Sequence, residues 1–165
     1  MPLADQLSEK GYRVFIPYMP FNLAILRSDK TDEIMEMYDD QEEWWVGGHS
    51  LGGTSASIYA SDEHDKINGL FFLASYPNDG SDLSGLELPI LSITGTQDEI
   101  INRESYESAS SNLPLATELY QIEGRDHSNF GYYGFQNGDG KSLISREEQH
   151  EEVTERLDDF IRSRQ

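Results

Sequence analysis

The chain predicts an α/β fold: a mostly parallel sheet of about five strands flanked by helices, in one domain over residues 1–165. Two observations predict it. Short apolar runs rich in β-branched and aromatic residues recur along the chain. Stretches with apolar residues at helical spacing lie between them. Such alternation calls for parallel strands joined by right-handed crossovers. No internal repeat or low-complexity linker divides the sequence, and 165 residues can bury a real core.

The elements follow in order. Tyr12–Met19 reads as a buried strand, with Pro17 near its end, where a missing N–H is tolerated. Asp32–Tyr38 reads as a short helix carrying Ile34, Met35 and Tyr38 on one face. Trp44–Gly48 is the second strand and Leu51–Ala60 a helix of small residues. Ile67–Ala74 and Pro89–Thr94 are the third and fourth strands. Asn102–Asn112 is helical, and Thr117–Ile122 is the fifth strand. The last helix has the sharpest start, because Ser145 and Glu148 match a capping box. Val153, Leu157, Phe160 and Ile161 then form its apolar stripe.

Composition narrows the function classes. There are 31 acidic against 12 basic residues, for a net charge of −19 and a pI near 4.3. Phosphates and anionic membrane surfaces would be repelled, which argues against nucleic acid and membrane partners. Four lysines against eight arginines on so acidic a chain suggest adaptation to high salt, where screening removes self-repulsion. An ordinary acidic cytosolic protein is the alternative. Zero cysteines exclude disulfides, thiolate metal sites and a cysteine nucleophile. No apolar run is long enough to span a membrane, and the N-terminus lacks the basic and apolar regions of a signal peptide, so a cytoplasmic location is expected.

In a parallel sheet, function gathers at the C-terminal ends of the strands. There the second strand runs into Gly48-His49-Ser50-Leu51-Gly52-Gly53, a G-x-S-x-G between strand and helix. A serine on so tight a turn has strained backbone angles, and its hydroxyl projects above the sheet. Gly48 and Gly52 are expected to leave room for it. Ser50 would sit at a helix N-terminus, with the Leu51 N–H placed as an oxyanion donor. A plain glycine-rich turn with Ser50 as a cap is the bland alternative. His49 is a poor base for its neighbour, since successive side chains of an extended segment point to opposite sides.

A serine nucleophile needs a base, and the base an orienting carboxylate, following in the order Ser, Asp or Glu, His. Asp98 follows the fourth strand and His127 the fifth. His64 lies before the third strand, at the wrong end of the sheet, and reads as a surface histidine. His150 falls in the first turn of the last helix and reads as packing or partly exposed. Asp98 has the better context for the acid, with Asp79 and Asp82, after the third strand, kept as alternatives. Asp126 adjoins His127 and is badly placed to orient it.

These residues carry a resemblance to the alpha/beta-hydrolase superfamily, especially its small dienelactone-hydrolase-like members. The carrying stretches are Gly48–Gly53, Gly95-Thr96-Gln97-Asp98 and Gly124-Arg125-Asp126-His127. Met19–Ala24, Gly131–Phe135 and Ser145–Gln149 also look like one subgroup of these hydrolases. The resemblance implies Ser50 as nucleophile, Asp98 as acid and His127 as base. It implies esters, lactones or thioesters of small molecules as substrates, and no metal or organic cofactor. It also implies a departure. Family members have strands ahead of the region matching Pro2–Lys10, which looks like the tail of their first large helix. The loop before that helix supplies their second oxyanion N–H. The chain is therefore expected to lack those strands, to bare a sheet edge, and to lose roughly 10²–10³ in rate with the missing donor. A non-catalytic hydrolase-like module is the rival reading, and a homo-oligomer is one way to cover the edge.

Other features carry less. Phe21 and Asn22 follow the first strand, so Asn22 is placed to hydrogen-bond substrate. Gly140-Lys141-Ser142 fails the spacing of a phosphate-binding loop. Asn137-Gly138-Asp139-Gly140 lacks the ligand series of a calcium loop and reads as a mobile loop beside His127, able to cover the pocket, or as a plain turn-rich connection. Phe130, Tyr132, Tyr133 and Phe135 read as packing more readily than as a pocket lining. Asp39-Asp40-Gln41-Glu42-Glu43 reads as a solvated face.

Overall fold

The computed structural model describes residues 2–18 and 30–165. The elements run α1 (Pro2–Glu9), α2 (Lys30–Met37), β1 (Trp45–His49), α3 (Leu51–Glu63), β2 (Gly69–Leu73), β3 (Ile90–Gly95), α4 (Arg103–Ala109), β4 (Glu118–Ile122) and α5 (Arg146–Arg162). The four strands form one sheet in the order β1-β2-β3-β4, every neighbouring pair parallel. Each crossover therefore returns the chain to the same end of the sheet, and every C-terminal strand end opens on one edge.

Side-chain alternation divides the core between the two faces. From β2 and β3, Leu73, Leu91 and Ile93 pack with Leu3 of α1 and with Val153, Leu157, Phe160 and Ile161 of α5. Leu70, Phe72 and Ile90 pack with Ala56, Tyr59 and Ala60 of α3. Covering both faces is what turns β2 and β3 into near-continuous apolar runs. The α5 stripe is buried as its spacing predicted. Its capping box is formed, the Ser145 hydroxyl accepting from the Glu148 N–H and the Glu148 carboxylate from the Ser145 N–H.

Among the described residues the sheet has four strands rather than about five. Tyr12–Tyr18 is irregular, and Met19 lies outside the described residues. A strand exists only by sharing a ladder, and among the described residues no strand pairs with this segment. Among the described residues a cavity of about 530 Å³ separates this segment from β1, lined by Tyr12, Val14, Phe15, Trp45, Gly47 and Phe71, among others. Phe15 instead packs at a tilt against Tyr38 and Trp44, with centroids 4.5 and 5.5 Å apart, while Ile16 and Tyr18 are exposed. Among the described residues β1 is thus an edge strand, half-buried along its length. Among the described residues, no helix is long and apolar enough to cross a membrane.

Candidate active site

Ser50 follows β1 directly and has φ 52°, ψ −124°. A non-glycine residue at positive φ is strained, and the surrounding structure must hold it. Three donors hold its carbonyl: the N–H groups of Gly53 and Thr54, at 3.0 and 3.3 Å, and the Ser75 hydroxyl, at 2.6 Å. The Ser50 N–H donates to the Leu73 carbonyl, which ties the turn to the end of β2. Leu51 opens α3, so its N–H has no carbonyl one turn back and is free for another acceptor.

The glycine requirement differs from the expectation at one position. A Cβ on Gly48 would lie 2.4 Å from the Gly52 backbone, so Gly48 is needed. A Cβ on Gly52 would meet nothing within 4 Å. The tight position is Gly53, where a Cβ would reach 2.5 Å from the Ser75 hydroxyl.

Asp98 and His127 are brought together. His127 Nδ1 lies 2.9 Å from Asp98 Oδ2, and both residues are buried. A carboxylate only accepts, so Nδ1 carries the proton and Nε2 the lone pair. Asp98 Oδ1 accepts from the Ile100 and Ile101 N–H groups at 3.0 and 2.8 Å, which fixes the carboxylate plane. His127 Nε2 is buried with no hydrogen-bond partner among the described residues, and so makes no bond to Ser50 Oγ. Gly95 lets the two loops meet, since a Cβ there would lie 2.2 Å from the Arg125 carbonyl oxygen.

The other candidates are occupied elsewhere. Asp82 is exposed and accepts from the Ser84 hydroxyl and N–H, and the hydroxyl first of all holds its carboxyl below the ordinary range. Asp79 is also exposed. Asp126 accepts from the Asn129 N–H and side-chain amide, and burial pushes its carboxyl up. His64 is half-buried beside Asp65. His150 is fully buried within α5, where burial pushes its imidazole down. Asn22 and Phe21 lie outside the described residues. Phe130 is core, while Tyr132, Tyr133 and Phe135 are exposed. Among the described residues, no group of three or more His, Asp or Glu side chains is placed to hold a metal ion.

Two features were not legible in the sequence. Ser75 props the serine turn from just past the end of β2, and only the fold brings them together. Asp139, in the stretch read as a mobile or turn-rich loop, is buried, and its carboxylate bonds the backbone of His127.

The fold recurs in solved structures. An alpha/beta hydrolase enzyme from the metagenome of sediments of the Mar Chica lagoon, Morocco, is 20% identical, with a TM-score of 0.73 over 99% of this chain and 84% of that one. A monoacylglycerol lipase of Paleococcus ferrophilus is 16% identical, with a TM-score of 0.70 over 96% and 88%. A dienelactone hydrolase of Anabaena variabilis is 18% identical, with a TM-score of 0.61 over 82% and 56%. No curated protein matches the chain significantly. The model of the alpha/beta hydrolase family matches residues 1–151, and the chain therefore belongs to the alpha/beta hydrolase family.

Proposed function

We propose that the chain is a serine hydrolase of ester-like carbonyls: carboxylic esters, lactones or thioesters of small molecules. The observation that carries this reading is the buried Asp98–His127 bond, which leaves Nε2 as the unprotonated nitrogen. The strained Ser50 at the end of β1 supports it. So do the monoacylglycerol lipase and the dienelactone hydrolase among the structural neighbours.

In this reading the Ser50 hydroxyl attacks the carbonyl carbon while His127 Nε2 takes its proton. Asp98 holds the ring in the correct tautomer and stabilises the imidazolium that forms. The Leu51 N–H, at the positive end of α3, donates to the developing oxyanion. The imidazolium returns its proton to the leaving group, and an acyl-enzyme remains. Water, activated by the same nitrogen, then hydrolyses it. Asn22 is assigned a hydrogen bond to substrate on its place in the sequence.

The test is turnover of a chromogenic short-chain ester by wild type and Asp98→Asn. The amide cannot impose the tautomer, so kcat is expected to fall by roughly 10³–10⁴ with KM nearly unchanged. Equal turnover by both proteins would remove Asp98 from the mechanism. The rival, a non-catalytic module, requires no turnover above the Ser50→Ala background.

A further inference from the structure

We propose that Asp139 is the positioning residue of the base, fixing His127 through its backbone rather than through its ring. This inference rests on the reading of His127 as the base.

His127 lies in the loop after β4 and opens a short 3₁₀ turn, Ser128–Phe130. The N–H groups at such a start have no carbonyl partner within the turn. Asp139 supplies both acceptors. Its Oδ1 accepts from the His127 N–H at 3.2 Å, and its Oδ2 from the Ser128 N–H at 2.7 Å. One carboxylate therefore spans the backbone of the base itself. Oδ2 also accepts from the Ser128 hydroxyl at 2.6 Å. Oδ1 also accepts from the Gly140 N–H at 2.9 Å and the Glu99 N–H at 3.4 Å. Glu99 follows Asp98 directly, so the same carboxylate ties the base loop to the acid loop.

The rest of the loop is built around this contact. The Ser128 hydroxyl accepts in turn from the Gln136 N–H at 2.8 Å. A Cβ on Gly140 would lie 1.9 Å from the Gln97 carbonyl oxygen, so only glycine lets this segment press onto the acid loop. Three loops thus converge on one buried side chain. Burial alone would push the Asp139 carboxyl up. The Ser128 hydroxyl, followed by the Ser128, His127 and Glu99 N–H groups, outweighs burial and holds it below the ordinary range.

Charge-assisted bonds are strong and directional, and the two from Ser128, at 2.7 and 2.6 Å, are short. Displacement of a reacting group by about 1 Å can cost about 10²-fold in rate. A carboxylate fixing the backbone of the base while anchoring the neighbour of the acid acts on that distance. Asp139→Asn keeps the size but turns one acceptor oxygen into a donor facing N–H or O–H groups.

The experiment compares wild type, Asp139→Asn and Ser128→Ala. The first measurement is the rate at which a fluorophosphonate labels each protein, corrected for the fraction labelled at completion. The second is the low-field imidazole N–H resonance of His127, assigned by its loss in His127→Gln. Asp139→Asn is expected to label completely but roughly 10- to 100-fold more slowly, and to shift or exchange-broaden that resonance. Ser128→Ala, which removes one of the donors to Asp139 and the acceptor of the Gln136 N–H, should move both in the same direction by less. A merely structural role would lower the active fraction and leave the rate per active chain and the resonance unchanged, and that result would overturn the proposal. If Asp139→Asn does not fold, Ser128→Ala decides on the same two measurements. If wild type does not label while the resonance still responds to Asp139→Asn, the hydrolase reading falls, and with it the positioning of a base, although Asp139 still holds the His127 ring. If wild type labels and the variants match it, the positioning role alone falls.

Discussion

The imidazoles of His49 and His127 pack against each other, with ring centroids 4.6 Å apart and planes tilted by 51°. On its other contacts His49 stacks with Tyr133 and Phe130, at 5.7 and 6.1 Å. Its Nε2 is buried without a hydrogen-bond partner among the described residues. Burial, and then the neighbouring His127, push its pKa down to about 3. His49 is thus a neutral aromatic wall for His127, and it stays uncharged at acid pH values where a solvated imidazole would be protonated.

That wall has a pH signature. The folded pKa of His49 lies below its unfolded value of about 6.5, so between about 3 and 6.5 the unfolded chain binds the extra proton. Its contribution to stability is complete above pH 6.5 and is lost as pH falls toward 3. Buried His150 is shifted in the same direction. Replacing His49 by Phe keeps the ring stack and removes the titration. Urea midpoints at pH 7.5 and 5 should therefore fall less in His49→Phe than in wild type. Equal falls would contradict a buried, neutral His49.

The serine turn makes its own prediction. Ser75→Ala removes the donor 2.6 Å from the Ser50 carbonyl, while Gly53 and Thr54 still hold that oxygen. The stability cost should be near that of one hydrogen bond, about 1 kcal/mol. Fluorophosphonate labelling of Ser50 should slow several-fold, as the strained turn relaxes. Unchanged stability and labelling would show that Ser75 does not support the turn.

Salt tests the charge balance. With net charge −19, self-repulsion is strong at low ionic strength. The bases present are heavily used: Lys66 bridges Asp32 and Glu63, at 2.9 Å from each. Screening shortens from about 10 Å at 0.1 M to about 3 Å at 1 M salt. The thermal midpoint should rise between 0.1 and 1 M KCl. A flat or falling midpoint would leave an ordinary acidic protein.

What was legible in the sequence was local. The G-x-S-x-G lies between β1 and α3, and its strand, turn and helix are adjacent in the chain. Asp98 and His127 were found because each follows its own strand, and a parallel sheet puts those ends on one edge. The α5 cap and stripe are written within one helix. Whatever depends on distant partners was not legible. Tyr12–Met19 has a strand's composition, but a strand also needs a neighbour. The motif points to Gly52, whereas the crowded position, Gly53, is set by Ser75, just past β2. Asp139 sits in an Asn-Gly-Asp-Gly stretch that reads as turn chemistry, and nothing near it shows that it reaches back to His127.

The most direct test of the central claim is the intact mass of the purified chain after reaction with a fluorophosphonate in high-salt buffer, beside Ser50→Ala. A single adduct on wild type that is absent from the variant is the predicted result, and it would mean that Ser50 is an activated nucleophile. No adduct on wild-type protein shown to be folded, or an adduct that persists in Ser50→Ala, would contradict the account.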